Sequence, residues 1–333
     1  MVNTMFNSIL GQEMTAYIEL RKAVISESSS SNDQRVLAML DQYLVESSFQ
    51  EKVLTEDILA TWSKTLTGKS KTVKEKLGVV RSFSRYLNTL GYPAFLPTLP
   101  KVKSDYIPYI FSDQEISRIF YHADNLTPEK PKSCSPFFSL KIPMALRILY
   151  SCGTRLGETV ALQRKDIDFK SKTIFLKHTK FSKERIIPVH ESLIEILELY
   201  CLALGIMHQP DAFLFPGKKR GTHYTTRQLQ FWFSEILKAA NIDQREKKPG
   251  ERGACLHCFR HLFVLKSMQQ LEAAGRPVDM NDLLLPTYLG HECLLDTDKY
   301  MRFSGVQVPE SMDAFESFTA GLIPNVEVPY EED

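Results

Sequence analysis

Two arginines and a histidine lie in sequence contexts that suit the binding of an anion. Arg155 stands between Gly153 and Gly157, where the backbone allows a ligand to come close. Its guanidinium offers a fork of donors that matches two phosphate oxygens. His257 and Arg260 are three residues apart, so on a helix they share one face and can converge on one anion. These residue types and spacings predict an anion site.

Two further segments carry a candidate acid and a candidate nucleophile. Lys180 lies in a basic stretch between two short runs of β-forming residues, where a hairpin tip could deliver an ammonium into a DNA groove or onto a leaving oxygen. Gly290 is expected to end a helix, with His291 capping the turn and Tyr300 in the first turn of the next helix. The chain thus contains a candidate acid, Lys180, and a candidate phenol nucleophile, Tyr300, in addition to the candidate anion site.

Each of these segments, taken alone, also has a structural interpretation. Arg155 could pair with Glu158 or with a helix C-terminus, and His257 could be a structural histidine. Hairpin tips such as the one around Lys180 are often charged for solubility alone. An isolated tyrosine at position 300 would normally serve packing. The functional interpretation therefore depends on the segments occurring together.

A zinc site is the competing interpretation of the segment around His257. Cys255, His257, Cys258 and His261 are all potential ligands. No second cysteine pair follows at a suitable spacing, and the two histidines bracket Arg260, a cation that a metal site would not favour. We predict no metal site and no cofactor.

Hydrophobic periodicity predicts the elements that position these segments. Two β-forming runs, 173–177 and 185–189, read as a hairpin around the basic tip. Thr55 is a candidate N-cap, and Ser112 with Glu115 forms a capping box. The expected fold class is mainly α with a small antiparallel β-sheet. The predicted helices cover about 33–46, 55–62, 71–90, a segment from 112, 137–151, 156–162, 191–204, 225–240, 261–274 and a segment leading into 289.

The charges along the chain are segregated although their sum is close to zero. The 333 residues carry a formal net charge of +1. Residues 61–270 hold 34 Lys and Arg against 18 Asp and Glu, a net charge of +16, whereas residues 1–60 and 271–333 carry −5 and −10. The neutral total would argue against a nucleic-acid partner, but the basic middle favours one.

The domain organisation follows from the proline content and the charge. Pro93, Pro97, Pro100 and Pro108 interrupt helical structure between two helical regions. At 43% hydrophobic residues, the chain can bury a core in each region. We expect an N-terminal extension at 1–30, a helical domain at 31–91, a linker at 92–109, a second and larger domain at 110–304 and an acidic tail at 305–333.

Two basic surfaces are candidate DNA contacts. The first lies on the helix predicted at 71–90, for which a solvated charged face is the alternative, and the second lies in the larger domain at 110–304. Residues 245–252 would add to the second surface. The DNA-binding candidates are Lys71, Lys74, Lys76, Arg81, Arg85, Lys218, Lys219 and Arg220.

Together, the chemical segments resemble the catalytic domain of the tyrosine recombinase (phage integrase) family, over roughly residues 112–304. Six positions match in order and at near-family spacing, although the interval from Arg260 to His291 is long and suggests an insertion near 273–282. Six matches over two hundred residues are far more specific than any single motif. The matches are Arg155 and Arg260 for the catalytic arginines, Lys180 for the hairpin lysine, His257 for the histidine of the His-x-x-Arg pair, His291 for that of the Leu-Gly-His turn and Tyr300 for the nucleophile.

The resemblance implies a two-domain DNA clamp, with a core-DNA-binding domain at 31–91 and a catalytic domain at 110–304. It implies site-specific recombination through a 3′-phosphotyrosyl intermediate, without metal or ATP. It also implies double-stranded DNA as partner, a tetramer on paired sites and an accessory directionality protein as a further candidate. The tail is expected to dock on a neighbouring protomer, with packing against its own chain as the alternative. Residues 1–30 are too short for an arm-site-binding domain. Six cysteines without a framework spacing and the absence of a signal segment or membrane run favour a reducing, cytoplasmic compartment. For a recombinase we expect a bacterial setting, in association with the nucleoid.

Two other functions use parts of the same sequence pattern. A type IB topoisomerase has the same chemistry but relaxes supercoils without exchanging partners. A catalytically silent DNA-binding regulator would keep the basic surfaces without the reaction. The compact chain and the Leu-Gly-His turn favour the recombinase over the first, and the intact set of six positions favours it over the second.

Overall fold

The computed structural model describes residues 6–102, 108–127, 137–177, 184–243, 253–273 and 284–290. The chain divides after residue 104 into two compact units. The division falls within the proline-rich segment expected to be a linker. The two units have separate hydrophobic cores.

The first unit is helical and is built around one apolar core. Its helices are α1 (Gly11–Val24), α2 (Glu27–Glu46), α3 (Glu56–Thr65) and α4 (Ser70–Thr89). Helices α1, α2 and α4 pack on one another. Their buried faces meet in a core that includes Leu10, Met14, Leu37, Leu40, Trp62 and Phe83.

The predicted helix cap at Thr55 is confirmed, and an additional helix, α1, packs into the core of the first unit. The Thr55 hydroxyl accepts a hydrogen bond from the Ile58 amide, so α3 begins where the cap predicts. Helix α1 lies within the segment 1–30 that is expected to be an extension. Its residues Met14 and Ile18 are buried in the unit's core, so this part of the extension belongs to the packed domain.

The second unit is also mainly helical. Ser112 and Glu115 form the expected capping box at the start of its first helix, with both reciprocal hydrogen bonds present. The buried helix α6 packs against α5, α8 and α10 and lies at the centre of the core. The helices of this unit are α5 (Asp113–Asp124), α6 (Phe138–Cys152), α7 (Leu156–Val160), α8 (Glu191–Ala203), α9 (Thr226–Ala239), α10 (His257–Ala273) and α11 (Leu284–Leu289).

A small antiparallel sheet follows α7. Strand β2 (Thr173–Leu176) pairs with β3 (Arg185–Pro188), with Leu176 opposite Arg185, which confirms the predicted hairpin. The two-residue strand β1 (Ile167–Asp168) pairs with the other edge of β2 and was not expected. The predicted fold class, mainly α with a small antiparallel sheet, is confirmed.

Helix α10 begins four residues earlier than the sequence pattern indicates, at His257 instead of residue 261. Leu256, Phe259 and Leu262 are buried at helical spacing, but the cysteines, histidines and arginine among them hide this apolar stripe in the sequence. The earlier start places both His257 and Arg260 on regular helix. Among the described residues, no helix is long and apolar enough to cross a membrane.

Candidate active site

Arg260 is the buried centre of the candidate site. Its side chain is 2% exposed, and its guanidinium donates hydrogen bonds to the carbonyl oxygens of Gly153 and Leu289, each at 2.7 Å. Gly153 is 107 residues distant in the chain and Leu289 is 29 residues distant. A guanidinium held by two backbone carbonyls has a fixed orientation. Arg260 therefore joins the end of α6, helix α10 and the end of α11.

Gly153 permits this close approach. It follows the last residue of α6 with φ of 55°, a left-handed conformation that favours glycine. A Cβ at this position would lie 2.5 Å from a ring carbon of Phe263 on α10. Any larger residue would force the end of α6 away from α10 and from Arg260.

Arg155, two residues after Gly153, also contacts the turn at the end of α11. It caps the start of α7, and its guanidinium donates to the Gly290 carbonyl at 3.0 Å and to Glu158 at 2.8 Å. Arg155 and Arg260 thus donate to the carbonyls of two adjacent residues, Gly290 and Leu289. The structure brings these two predicted site residues to one turn, immediately before His291 in the sequence.

Glu158 and Arg185 complete a buried charge network. Glu158 accepts hydrogen bonds from both guanidinium groups, with contacts of 2.8 Å to Arg155 and of 2.9 and 3.2 Å to Arg185. Burial by itself raises the pKa of Glu158, but the hydrogen bonds and charge of Arg185 and the hydrogen bonds of Arg155 outweigh it and lower the pKa below its ordinary value. The carboxylate stays ionised, and the cluster with Arg260 holds three positive charges against one negative charge.

Arg185 is a further member of the site that no sequence motif indicated. Its Nε also donates to the Tyr288 carbonyl at 2.8 Å, so three consecutive carbonyls, those of Tyr288, Leu289 and Gly290, each accept from a different arginine. The alternation of inward-facing and outward-facing side chains along β3 was the pattern that could have indicated Arg185. Arg185 shares a face with buried Ile187 on β3, and a charge on the buried face of a strand requires partners.

The turn at the end of α11 is shaped to fit these arginines. Gly290 has φ of 65°, and a Cβ there would lie 3.0 Å from Nη1 of Arg185. The Tyr288 ring stacks on Phe263 with centroids 5.3 Å apart, and burial raises the pKa of its phenol. The packing of α11 on α10 fixes the carbonyls that the arginines contact.

His257 lies in the first turn of α10 and is exposed, whereas His261 in the next turn is buried. Their ring centroids are 4.8 Å apart and nearly perpendicular. Burial, assisted by the charges of His257 and Arg260, lowers the pKa of His261 to about 3. His261 is therefore neutral at physiological pH, and of the two rings His257 is the one that reaches solvent.

Three predicted site residues, Lys180, His291 and Tyr300, lie outside the described residues, as does most of the suspected insertion at 273–282. The base of the hairpin that carries Lys180 is described. There Lys177 forms an ion pair with buried Asp166. The roles of the three residues stay predictions.

The candidate DNA-binding residues of α4 do not share one environment. Lys71 and Arg85 are exposed, and Lys74 and Lys76 are partly exposed. Arg81 donates to the carbonyl of Pro97 at 2.6 Å and to that of Leu96 at 3.4 Å. Arg81 is therefore held against the chain that follows α4, and Lys76 donates to the Thr67 carbonyl at 3.3 Å, whereas the exposed Lys71 and Arg85 present their charges to solvent.

The second basic surface lies on a turn between α8 and α9. Its three cations are exposed, while residues 245–252 lie outside the described residues. Below the turn, Lys141 is 1% exposed and donates to the Pro216 carbonyl at 2.9 Å. Burial lowers the pKa of Lys141 to about 8. The exposed cations of the turn are Lys218, Lys219 and Arg220.

The zinc alternative can be compared with the geometry of α10. Within the described part of the chain, no three His, Cys, Asp or Glu side chains are grouped so that they could hold a metal ion. Cys255 and Cys258 do lie together, with their sulfurs 3.6 Å apart. The histidines do not complete a ligand set around them.

Comparison with known proteins agrees with the residue pattern. Residues 111–303 match the model of the phage integrase family. A putative integrase/recombinase, y4rE, of Sinorhizobium fredii is 26% identical over 305 residues, which cover 90% of this chain and 93% of the relative. Tyrosine recombinase XerC of Staphylococcus aureus is 26% identical over 245 residues, which cover 72% of this chain and 73% of that protein.

Solved structures share the fold at low sequence identity. A post-cleavage complex of the XerH site-specific recombinase with a palindromic difH substrate aligns with a TM-score of 0.68 and 18% identity, covering 91% of this chain and 84% of that chain. A lambda integrase dimer bound to a COC′ core site aligns with a TM-score of 0.62 and 14% identity, covering 87% of this chain and 94% of that chain.

The chain belongs to the phage integrase family, the tyrosine recombinases, because the family model covers more than half of it. Its activity class is that of a tyrosine-type site-specific recombinase, which confirms the function expected from the sequence.

Proposed function

We propose that the protein cuts and rejoins double-stranded DNA with Tyr300 as the nucleophile, in the integration or excision of a mobile element or a related rearrangement. One observation carries this proposal. Arg155 and Arg260 are fixed on the adjacent carbonyls of Gly290 and Leu289, directly before His291 in the sequence. Two preorganised guanidiniums at such a place suit a phosphate whose charge grows during transfer.

The proposed reaction is a pair of transesterifications. The Tyr300 oxygen attacks a DNA phosphorus, which forms a 3′-phosphotyrosyl bond and breaks the bond to the 5′-oxygen. A 5′-hydroxyl of a partner strand then attacks the same phosphorus and releases the tyrosine. The phosphotyrosyl bond conserves the free energy of the diester, so the reaction requires neither ATP nor a metal. Arg155 and Arg260 stabilise the nonbridging oxygens.

Two proton transfers accompany each step. A phenol has a pKa near 10, so Tyr300 needs a base or a strong positive field at neutral pH. His257 serves as the base, which its exposed place in the first turn of α10 supports. Lys180 protonates the leaving 5′-oxygen, and His291 hydrogen-bonds the phosphate or positions Tyr300.

The two basic surfaces bind the phosphate backbone in this proposal. The exposed cations of α4 and of the turn at 218–220 support it, because charges that face solvent can reach a duplex. Phosphate contacts release counterions, so affinity falls steeply with salt. An affinity that does not change with salt would contradict this assignment.

The proposal also covers the oligomeric state of the protein and its location in the cell. A tetramer forms on paired sites, and the acidic tail at 305–333 docks on a neighbouring protomer through the stretch 309–322. The solved lambda integrase dimer on DNA is a similar protein in an assembled state. Deleting residues 305–333 should abolish the synaptic tetramer and spare DNA binding by monomers. An accessory directionality protein and a bacterial, nucleoid-associated cytoplasmic setting complete the proposal.

Replacement of the nucleophile tests the chemistry. Tyr300→Phe should bind a nicked suicide duplex, built from the DNA that flanks the gene, with unchanged affinity and form no covalent adduct. Tyr288→Phe is a matched control, because the Tyr288 ring is partly buried in α11 and stacks on Phe263, a contact that phenylalanine retains. The control should still form the adduct.

Three results would count against the proposal. A covalent adduct in Tyr300→Phe excludes this tyrosine as the nucleophile. Binding without any adduct in the wild type favours the catalytically silent regulator. Relaxation of supercoiled plasmid without synapsis of two sites favours the type IB topoisomerase.

A further inference from the structure

Two cysteines lie together at the start of α10 and have no part in the proposed reaction. The sulfurs of Cys255 and Cys258 are 3.6 Å apart. Cys255 is exposed, whereas Cys258 is 1% exposed. The backbone amide of Cys255 donates to the Cys258 sulfur at 3.4 Å. The pair thus consists of one accessible sulfur and one buried sulfur that already touch.

This asymmetry suits thiol–disulfide exchange. The accessible thiol can be attacked by or can attack a small molecule, and the buried thiol can only react with its neighbour. Cys255 lies two residues before the first residue of the 17-residue helix α10, and the positive end of the helix dipole favours a thiolate nearby. The hydrogen bond with Cys255, together with burial, raises the pKa of Cys258, so the Cys258 thiol is protonated at neutral pH.

The other described cysteines lack these properties. Cys152 and Cys201 are buried, and burial raises the pKa of their thiols to about 12 and about 11. Such thiols are poor nucleophiles at neutral pH. The reactive geometry is therefore specific to the start of α10 among the described residues.

We propose that Cys255 and Cys258 are a reversible modification site that reacts with small-molecule disulfides of the glutathione type. The Cys255 thiolate attacks one sulfur of the oxidised molecule, forms a mixed disulfide and expels the other half as a thiolate. Cys258 gives up its proton and attacks the Cys255 sulfur, and the second half leaves as a thiol. The two cysteines are oxidised by two electrons, and one disulfide molecule is reduced to two thiols.

Formation of this bond would alter the candidate active site, an effect that rests on the proposed function. A disulfide has an S–S distance of about 2.05 Å, so the sulfurs must approach by about 1.5 Å. His257 lies between the two cysteines and Arg260 lies two residues after them. A displacement of about 1 Å in a reacting group can cost about 10²-fold in rate. Oxidation should therefore suppress the reaction.

The chemistry is tested on the full chain with Cys134 and Cys293 replaced by serine. The protein is incubated with oxidised glutathione, trapped with an alkylating agent and analysed by peptide mass spectrometry. The expected product is one peptide that has lost two hydrogen atoms, with Cys255 and Cys258 both protected from alkylation. Dithiothreitol should restore both alkylation sites.

Variants separate the steps. Cys255→Ser should take up no glutathione, and Cys258→Ala should stop at the mixed disulfide on Cys255. Cys201→Ala is the matched control and should behave as the parent. The proposal is overturned if the parent also stops at the mixed disulfide, or if glutathione attaches to Cys258 in Cys255→Ser.

The effect on function is measured with the same suicide duplex. The rate of adduct formation should fall about 100-fold on oxidation and recover with dithiothreitol, whereas Cys255→Ser should be insensitive to the oxidant. An oxidised protein that keeps its full rate would overturn the functional consequence. A reduced parent that forms no adduct would instead refute the proposed function, and the mass measurement would still decide the modification.

Discussion

The cations of the second unit's buried cluster and those of α4 are the same residue types in opposite environments. Arg155, Arg185 and Arg260 each donate to two or more fixed acceptors within the protein. Lys71 and Arg85 on α4 face solvent. A guanidinium with fixed partners has already lost its rotamer entropy on folding, whereas a solvated ammonium loses it on binding.

The difference indicates a division of labour. Preorganised donors can stabilise charge that develops only in a transition state, because they need no reorganisation during the reaction. Solvated cations neutralise phosphates of the ground state and add affinity without changing the rate at saturation. Substitutions in the cluster should therefore affect stability and rate, and substitutions on α4 should affect binding.

The largest effect is expected for Glu158→Ala. The substitution leaves the guanidiniums of Arg155 and Arg185 without their shared carboxylate, and breaking a buried ion pair typically costs about 3–5 kcal/mol. Urea unfolding of the full chain measures the loss. Glu75→Ala on the exposed side of α4 is the control and should change the free energy of unfolding by less than about 0.5 kcal/mol. Equal losses in the two variants would remove the distinction between the regions.

Arg185→Lys sharpens the comparison within the cluster. Lysine keeps the charge but cannot reproduce the fork that contacts both oxygens of Glu158 together with the Tyr288 carbonyl. As a positioning residue, Arg185 should affect the rate of adduct formation at saturating DNA, by about 10- to 100-fold, with little change in DNA affinity. The matched substitution on α4, Arg85→Lys, should leave both nearly unchanged. A loss of affinity at constant rate would show that Arg185 instead contacts DNA directly.

The pH dependence of stability should report on the buried site and not on α4. The folded pKa of His261, about 3, is below its ordinary value of 6.5, so below pH 6.5 the unfolded chain binds a proton that the folded chain does not. This contribution is constant above pH 6.5 and falls by up to about 2 kcal/mol between pH 6.5 and 5. That interval lies above the range in which Glu158, with its lowered pKa, loses its charge.

The variant His261→Gln isolates the contribution of His261 protonation to the free energy of unfolding. The difference in unfolding free energy between the variant and the wild type should shrink or reverse as the pH falls from 6.5 to 5. A difference that is constant over this interval would mean that His261 is protonated in the folded state.

The sequence predicted those features that depend on local chemistry. The capping box at Ser112 and the hairpin around the basic tip follow from residue types at short spacing. Arg155 and Arg260 are 105 residues apart, and their convergence followed only from the resemblance of the combined segments to one family. The network of Glu158 with Arg185 joins residues 27 apart through a side-chain fork, which no local pattern records. The contact of Arg81 with the carbonyls after α4 was hidden for the same reason, since a charge pattern does not distinguish a solvated cation from one held by backbone oxygens.

The smallest effect is expected for single lysines on α4, and it tests the other half of the comparison. Lys71→Ala should weaken binding to a duplex at moderate salt and lower the slope of log affinity against log salt by about 0.9 if one phosphate contact is lost. Lys22→Ala, at the exposed end of α1, should leave the slope unchanged. The rate of adduct formation at saturating DNA should not change in either variant, because a solvated cation binds substrate and transition state alike. A reduced rate with an unchanged slope would contradict this prediction, because Lys71 would then contribute to the rate and not to DNA binding.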